Sequence, residues 1–190
     1  MKAIVFIDGN NFYFKLKELT SNESCRVDLL SFDYQNFAKW LVATNTLTQV
    51  RYYIGAVRRK NGKDKDKSER LYANQQKLLS KLDREQVSIS LGVLIQHPDK
   101  TYHEKGVDVK LAVEMIRLAR INEYDVAYLL SSDTDLVAAV QEVQAFGKQV
   151  VYVGIAKGQS YGLSQVANDV RLLRAEDIKQ FLVPLLDLRH

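Results

Sequence analysis

Four aspartates are the residues of this 190-residue chain best able to do chemistry: Asp8, Asp108, Asp133 and Asp135. Asp8 closes the apolar run Ala3-Ile4-Val5-Phe6-Ile7, Asp133 and Asp135 follow the run 125–131 (DVAYLLS), and Asp108 opens an amphipathic stretch. Counting forward from Asp108, Leu111, Ala112, Met115, Leu118 and Ala119 lie at +3, +4, +7, +10 and +11. In a helix that spacing puts the carboxylate on the same face as the apolar stripe. A carboxylate turned towards a core needs a compensating partner. A divalent cation shared with Asp8 and Asp133 would compensate all three, and oxygen ligands without His or Cys suit Mg2+ or Mn2+. Each aspartate also has a structural use. Asp133 can cap a helix, Asp108 and Asp135 gain from a helix dipole, and Asp8-Gly9 can make a turn. Together they point to a site for one or two ions, because like charges brought to one place repel unless neutralised.

The elements that would position them alternate in type. Apolar runs at about Ala3 to Ile7, Gln49 to Val57, Val87 to Ile95, Asp125 to Ser131 and Gln149 to Val153 read as strands, with a short sixth near Val170 to Leu173. Helical spacing predicts helices from just after Asn11 to about Leu19, Tyr34 to Ala43, Ser68 to Arg84, Val107 to Arg120, Asp133 to Phe146 and Ala175 to Leu186. Thr20 to Ser24, Gln96 to Gly106 and Gly154 to Ser164 read as loops. Such alternation predicts an α/β fold, a three-layer α/β/α sandwich around a parallel sheet of five to six strands. In open parallel sheets ligands bind at the carboxyl ends of the strands. Asp8 and Asp133, although 125 positions apart, then share one edge if their strands are neighbours.

Composition narrows the alternatives. The hydrophobic fraction is 46% and there are nine Gly and two Pro, which suits one globular domain spanning 1–190. The lone Cys25 excludes an internal disulfide framework and a Cys-based zinc cluster. His97, His103 and His190 show no metal-ligand spacing. No apolar run reaches the ~20 residues of a spanning helix, and the first stops at Asp8, too short for a signal peptide. The expectation is a soluble, cytoplasmic protein with no membrane partner, a homo-oligomer being left open. Net charge is +4, and the stretch from Arg58 to Arg70 carries all of that excess. A basic segment on a neutral body suits a polyanion, although a solvated loop of mixed charge reads the same way. No phosphate-binding P-loop and no GxGxxG after the first strand are present. Asn10 stands where a haloacid-dehalogenase-type phosphatase has its second aspartate, and Asp8 where a toprim-like site has Glu.

Three segments at these aspartates resemble the motifs of NYN domains, a PIN-like nuclease family, with the LabA-like branch nearest. They are Ile7-Asp8-Gly9-Asn10-Asn11, Lys105-Gly106-Val107-Asp108-Val109-Lys110-Leu111-Ala112 and Ser131-Ser132-Asp133-Thr134-Asp135-Leu136. Gly147 to Gly154 resembles that family's fifth strand, and Leu163 to Leu173 its closing segment. The resemblance implies a PIN-like sandwich and a Mg2+- or Mn2+-dependent ribonuclease that leaves a 5′-phosphate. Its metal-holding aspartates match Asp8, Asp108 and Asp133, with Asp135 as a fourth. The partner implied is nucleic acid, RNA ahead of DNA; the alternative is a non-catalytic regulator that binds RNA or a protein. Substrate contacts are expected from Asn10, Asn11, Lys105, Ser132, Lys157 and Ser160, with Arg58, Arg59 and Lys60 extending the track. Tyr102 and Tyr161 are candidate stacking residues, whereas Trp40, Tyr52 and Tyr53 read as core.

Overall fold

The computed structural model describes residues 1–20, 28–57, 59, 65–96 and 102–182. Among these residues seven strands form one sheet: β1 (Lys2–Asp8), β2 (Thr46–Gly55), β3 (Ser88–Gln96), β4 (Tyr102–Lys105), β5 (Val126–Leu130), β6 (Gln149–Ile155) and β7 (Asp169–Leu173). Their spatial order is β4-β3-β2-β1-β5-β6-β7. Six strands run parallel, and β4 pairs antiparallel with β3 at one edge. The chain winds outward from β1 through β2 to β3, then returns to lay β5 on the other side of β1. That reversal creates a crevice between the carboxyl ends of β1 and β5.

Among the described residues seven helices cover the sheet: α1 (Gly9–Leu19), α2 (Tyr34–Val42), α3 (Lys65–Arg84), α4 (Val107–Arg120), α5 (Val137–Ala145), α6 (Tyr161–Val166) and α7 (Ala175–Lys179). Alternate residues of β1 feed two cores, as the two-residue period of a strand requires. Ala3, Val5 and Ile7 pack with α1, α2, α3 and α7, whereas Ile4 and Phe6 pack with α4, α5 and α6. The molecule is thus a three-layer α/β/α sandwich. β1 and β5 are buried on both faces, which is why their sequences read as unbroken apolar runs. Among the described residues no helix is long and apolar enough to cross a membrane.

Three elements differ from the sequence-based expectation. The stretch expected to be irregular before Gly106 contains β4, whose Tyr-His-Glu-Lys sequence has no apolar signal. An edge strand is held by backbone hydrogen bonds that any sequence supplies. The expected 154–164 loop contains the start of α6, a six-residue helix with a single buried apolar anchor, Leu163. The helix expected from Asp133 begins as a 3₁₀ turn (Thr134–Leu136) and becomes α-helical at Val137. The expected 20–24 loop, Cys25, His97 and the final helix beyond 182 lie largely or wholly outside the described residues.

Helix α4 is anchored by polar as well as apolar contacts. Phe6 of β1 lies between Tyr53 and Tyr124, with ring centroids 6.4 and 5.8 Å away. The Tyr124 hydroxyl donates to the Met115 carbonyl (2.8 Å), and the Tyr53 hydroxyl donates to Glu114 Oε2 (2.8 Å). Arg51 of β2 donates from its guanidinium to the same oxygen (2.7 Å), and Ser90 of β3 adds a hydroxyl 3.2 Å from Oε1. Burial alone would raise the Glu114 pKa, but these donors together hold it below the usual range.

Candidate metal centre

Asp8 is the last residue of β1 and the residue that starts α1. Its Oδ1 accepts the Asn11 N–H (3.1 Å), the bond that caps the helix. The chain can turn here because residue 9 is glycine. A Cβ on Gly9 would sit 2.4 Å from Tyr52 Cε1 and 2.7 Å from Cζ, and the Tyr52 ring is fully buried. Asp8 Oδ2 accepts the Ser131 hydroxyl (3.1 Å) across the reversal point, and Ser131 Oγ in turn accepts the Asp133 N–H (3.2 Å). Asp133 Oδ1 then accepts the Asp135 N–H (3.0 Å) and so caps the 3₁₀ turn. A continuous chain of hydrogen bonds therefore runs from the end of β1 to the segment after β5.

Asp108 arrives from the other layer. Gly106, at φ +77°, supplies the left-handed residue that redirects β4 into α4, and Asp108 stands in the first turn, half-buried. Asp108, Asp133 and Asp135 each offer a carboxylate oxygen within 4.8 Å of the other two. Asp8 is not part of this trio, although it lies close enough to Asp133 to feel its charge. Burial raises the Asp8 pKa, and repulsion by Asp133 adds to this. Hydrogen bonds from Asn11 and Ser131 oppose the rise.

Among the described residues, none of the ion pairs involves any of the four aspartates. Three helical starts supply partial positive charge there, yet the nearby carboxylates lack a full countercharge from those residues. An all-oxygen donor set of this kind, partly desolvated, fits a hard divalent cation.

The other expected contact residues divide. Asn11 and Ser132 line a narrow cleft between α1 and the ends of β5 and β6, next to Ser131. Asn10 is exposed at the start of α1. Lys157 is 87% exposed beyond β6, with its Nζ 3.7 Å from Glu18 Oε1. Ser160 is only 5% exposed: its Oγ accepts the Leu163 N–H (3.3 Å) and its N–H donates to the Tyr152 hydroxyl (2.9 Å). Its hydroxyl caps α6, a structural use the sequence reading did not assign to it. Arg59 stacks over the Tyr72 ring at 4.5 Å. Lys105 ends β4, but nothing is described of its side chain or that of Tyr102; Arg58 and Lys60 lie outside the described residues.

Sequence reading gave Ser131 no role, although it joins Asp8 to Asp133. Nor did it single out the Arg51–Glu114 pair. The signal for the latter was available, since an arginine inside the buried strand 49–57 demands a partner.

A doubly wound sandwich with carboxylates gathered at its reversal point defines the class of fold. The family follows from the sequence: the NYN domain model matches residues 2–173. The chain belongs to the NYN domain family, and its fold is PIN-like. A crystal structure of a protein of unknown function from Vibrio parahaemolyticus RIMD 2210633 superposes with a TM-score of 0.65. It is 23% identical, the alignment covers 93% of this chain and 94% of that one, and the likeness is one of fold. An isopentenyl phosphate kinase in a substrate complex aligns at a TM-score of 0.39 and 10% identity over 90% of this chain and 99% of that one, too low to bear on the fold. No curated protein matches.

Proposed function

We propose that this protein is a Mg2+- or Mn2+-dependent endoribonuclease that hydrolyses phosphodiester bonds at the crevice between β1 and β5. The observation that carries the reading is the meeting of Asp108, Asp133 and Asp135 within 4.8 Å, with no cation paired to them among the described residues. Those three side chains, with Asp8 beside them, would hold the ion. When bound, a divalent ion acidifies a water and offsets charge on the scissile phosphate.

The protein's own groups have distinct tasks. Asp8 orients Ser131, and through it the backbone of Asp133. Asp108 closes the site from the α4 layer. Asn10, Asn11 and Ser132 are the groups we assign to phosphate contact, with Lys157 and the basic Arg58–Arg59–Lys60 segment further along the strand. An excess charge of +4 confined to 58–70 supports a polyanionic partner.

The test is cleavage of a labelled single-stranded RNA in Mn2+, comparing wild type with Asp108→Asn and Asp133→Asn, alongside Mn2+ binding followed by electron paramagnetic resonance. Expected are products bearing 5′-phosphate, abolished by EDTA and reduced at least 100-fold by either substitution, on the order of the effect of losing one charge-stabilising group. Cleavage that survives EDTA or both substitutions overturns the proposal. Metal-dependent binding without cleavage would replace it by the regulator reading.

A further inference from the structure

We propose that Tyr161 is a stacking platform for an unpaired base beside the bond to be cut, which makes the site selective for single-stranded nucleic acid. The inference rests on the nuclease reading above and adds the form of the substrate. Tyr161 is 77% exposed, more than any other large apolar side chain among the described residues. An exposed tyrosine on a mobile loop would mean little, but this one stands on a fixed base. The preceding Ser160 is buried, its N–H held by the Tyr152 hydroxyl and its carbonyl by the Ser164 hydroxyl (2.7 Å). The following Gly162 lies against the 3₁₀ turn: a Cβ there would come 3.3 Å from Val137 Cγ2 and 3.4 Å from Thr134 Cγ2. Leu163, next again, is fully buried.

Thr134 is the residue between Asp133 and Asp135. Tyr161 is therefore one residue, about 3.8 Å along the backbone, from a glycine in contact with the carboxylate-bearing segment. We place a base laid on its ring close to the nucleotide whose phosphate meets the aspartates. Holding the backbone while leaving the ring open reduces the ordering cost of binding. Aromatic faces stack on any base, so the contact tolerates sequence. In a duplex both faces of a base are covered by its neighbours, so the contact needs an unpaired strand.

The experiment measures binding of the full chain, with Ca2+ as the divalent ion, to fluorescein-labelled decauridylate and to an abasic decamer of the same backbone. Wild type and Tyr161→Phe are expected to bind decauridylate equally, and Tyr161→Ala about 10-fold more weakly. All three should bind the abasic decamer alike, at the weaker level. Equal affinity of wild type and Tyr161→Ala for decauridylate overturns the proposal, as does abasic binding as tight as decauridylate binding. Self-association of wild type that Tyr161→Ala abolishes overturns it too, because the ring would then be a protein contact. Mn2+ binding, measured separately on wild type and Tyr161→Ala, keeps the two readings apart. If wild type binds no Mn2+, the metal reading fails whatever the stacking result; if both bind it equally, any loss of RNA affinity belongs to the ring.

Discussion

Replacing Glu114 by Leu should cost about 3 kcal/mol of stability. Its carboxylate accepts from Arg51, Tyr53 and Ser90, and the side chains of Arg51 and Glu114 are 15% and 16% exposed. Glu114→Leu leaves a guanidinium with little water and no counterion, together with two hydroxyls that have lost an acceptor. Removing one partner of a buried pair costs about 3–5 kcal/mol, and the residual exposure places this pair at the lower end. For a chain of this size, 3 kcal/mol corresponds to a fall in Tm of roughly 6–12 °C. Urea unfolding monitored by circular dichroism measures the loss. The double variant Arg51→Met/Glu114→Leu should lose less than Glu114→Leu, because no charge is stranded. The pH dependence supplies an independent arm. The folded pKa of Glu114 lies below its unfolded value of about 4.3. Its stabilisation is thus complete above that value and disappears as pH falls through the folded one. The stability gap between wild type and Glu114→Gln should be full at pH 7 and close in acid. A loss under about 1 kcal/mol for Glu114→Leu, well short of the buried-pair range, refutes the reasoning, as does a gap that persists at low pH.

Substitutions at two further positions test the frame of the site. Gly9→Ala forces a methyl into the buried Tyr52 ring and should destabilise by about 1–3 kcal/mol; an unchanged Tm would show that the turn after Asp8 has room to spare. Asp8→Asn keeps a good N-cap while removing a carboxylate that burial and Asp133 both disfavour. It should therefore unfold at the same or a higher urea concentration than wild type while losing Mn2+-dependent activity, whereas Asp8→Ala should lose about 1 kcal/mol of stability with the cap.

What was legible in the sequence depended on how each element is held. β1 and β5 announce themselves because burial on both faces demands unbroken apolar residues. The apolar face of α4 follows from the spacing of Leu111, Met115 and Leu118. β4 and α6 left no comparable trace, one held by backbone pairing and the other by one leucine and a serine cap. Motif spacing brought out all four aspartates but not their grouping. Asp135 stands in the trio and Asp8 beside it, hydrogen-bonded to Asn11 and Ser131, and side-chain rotation of this kind is not written in residue spacing. Ser160 shows the same limit: a polar residue in a segment expected to be loop is buried as the N-cap of α6.

The strand reversal has a consequence for folding. Asp8 precedes Ser131 by 123 residues, and its bond to Ser131 and the meeting of Asp108 with Asp133 and Asp135 require β5 to slot against β1. A form in which β5 is not in place has neither the Ser131 bond to Asp8 nor the gathered trio. Whatever chemistry these acids perform is thereby withheld until that strand is in place.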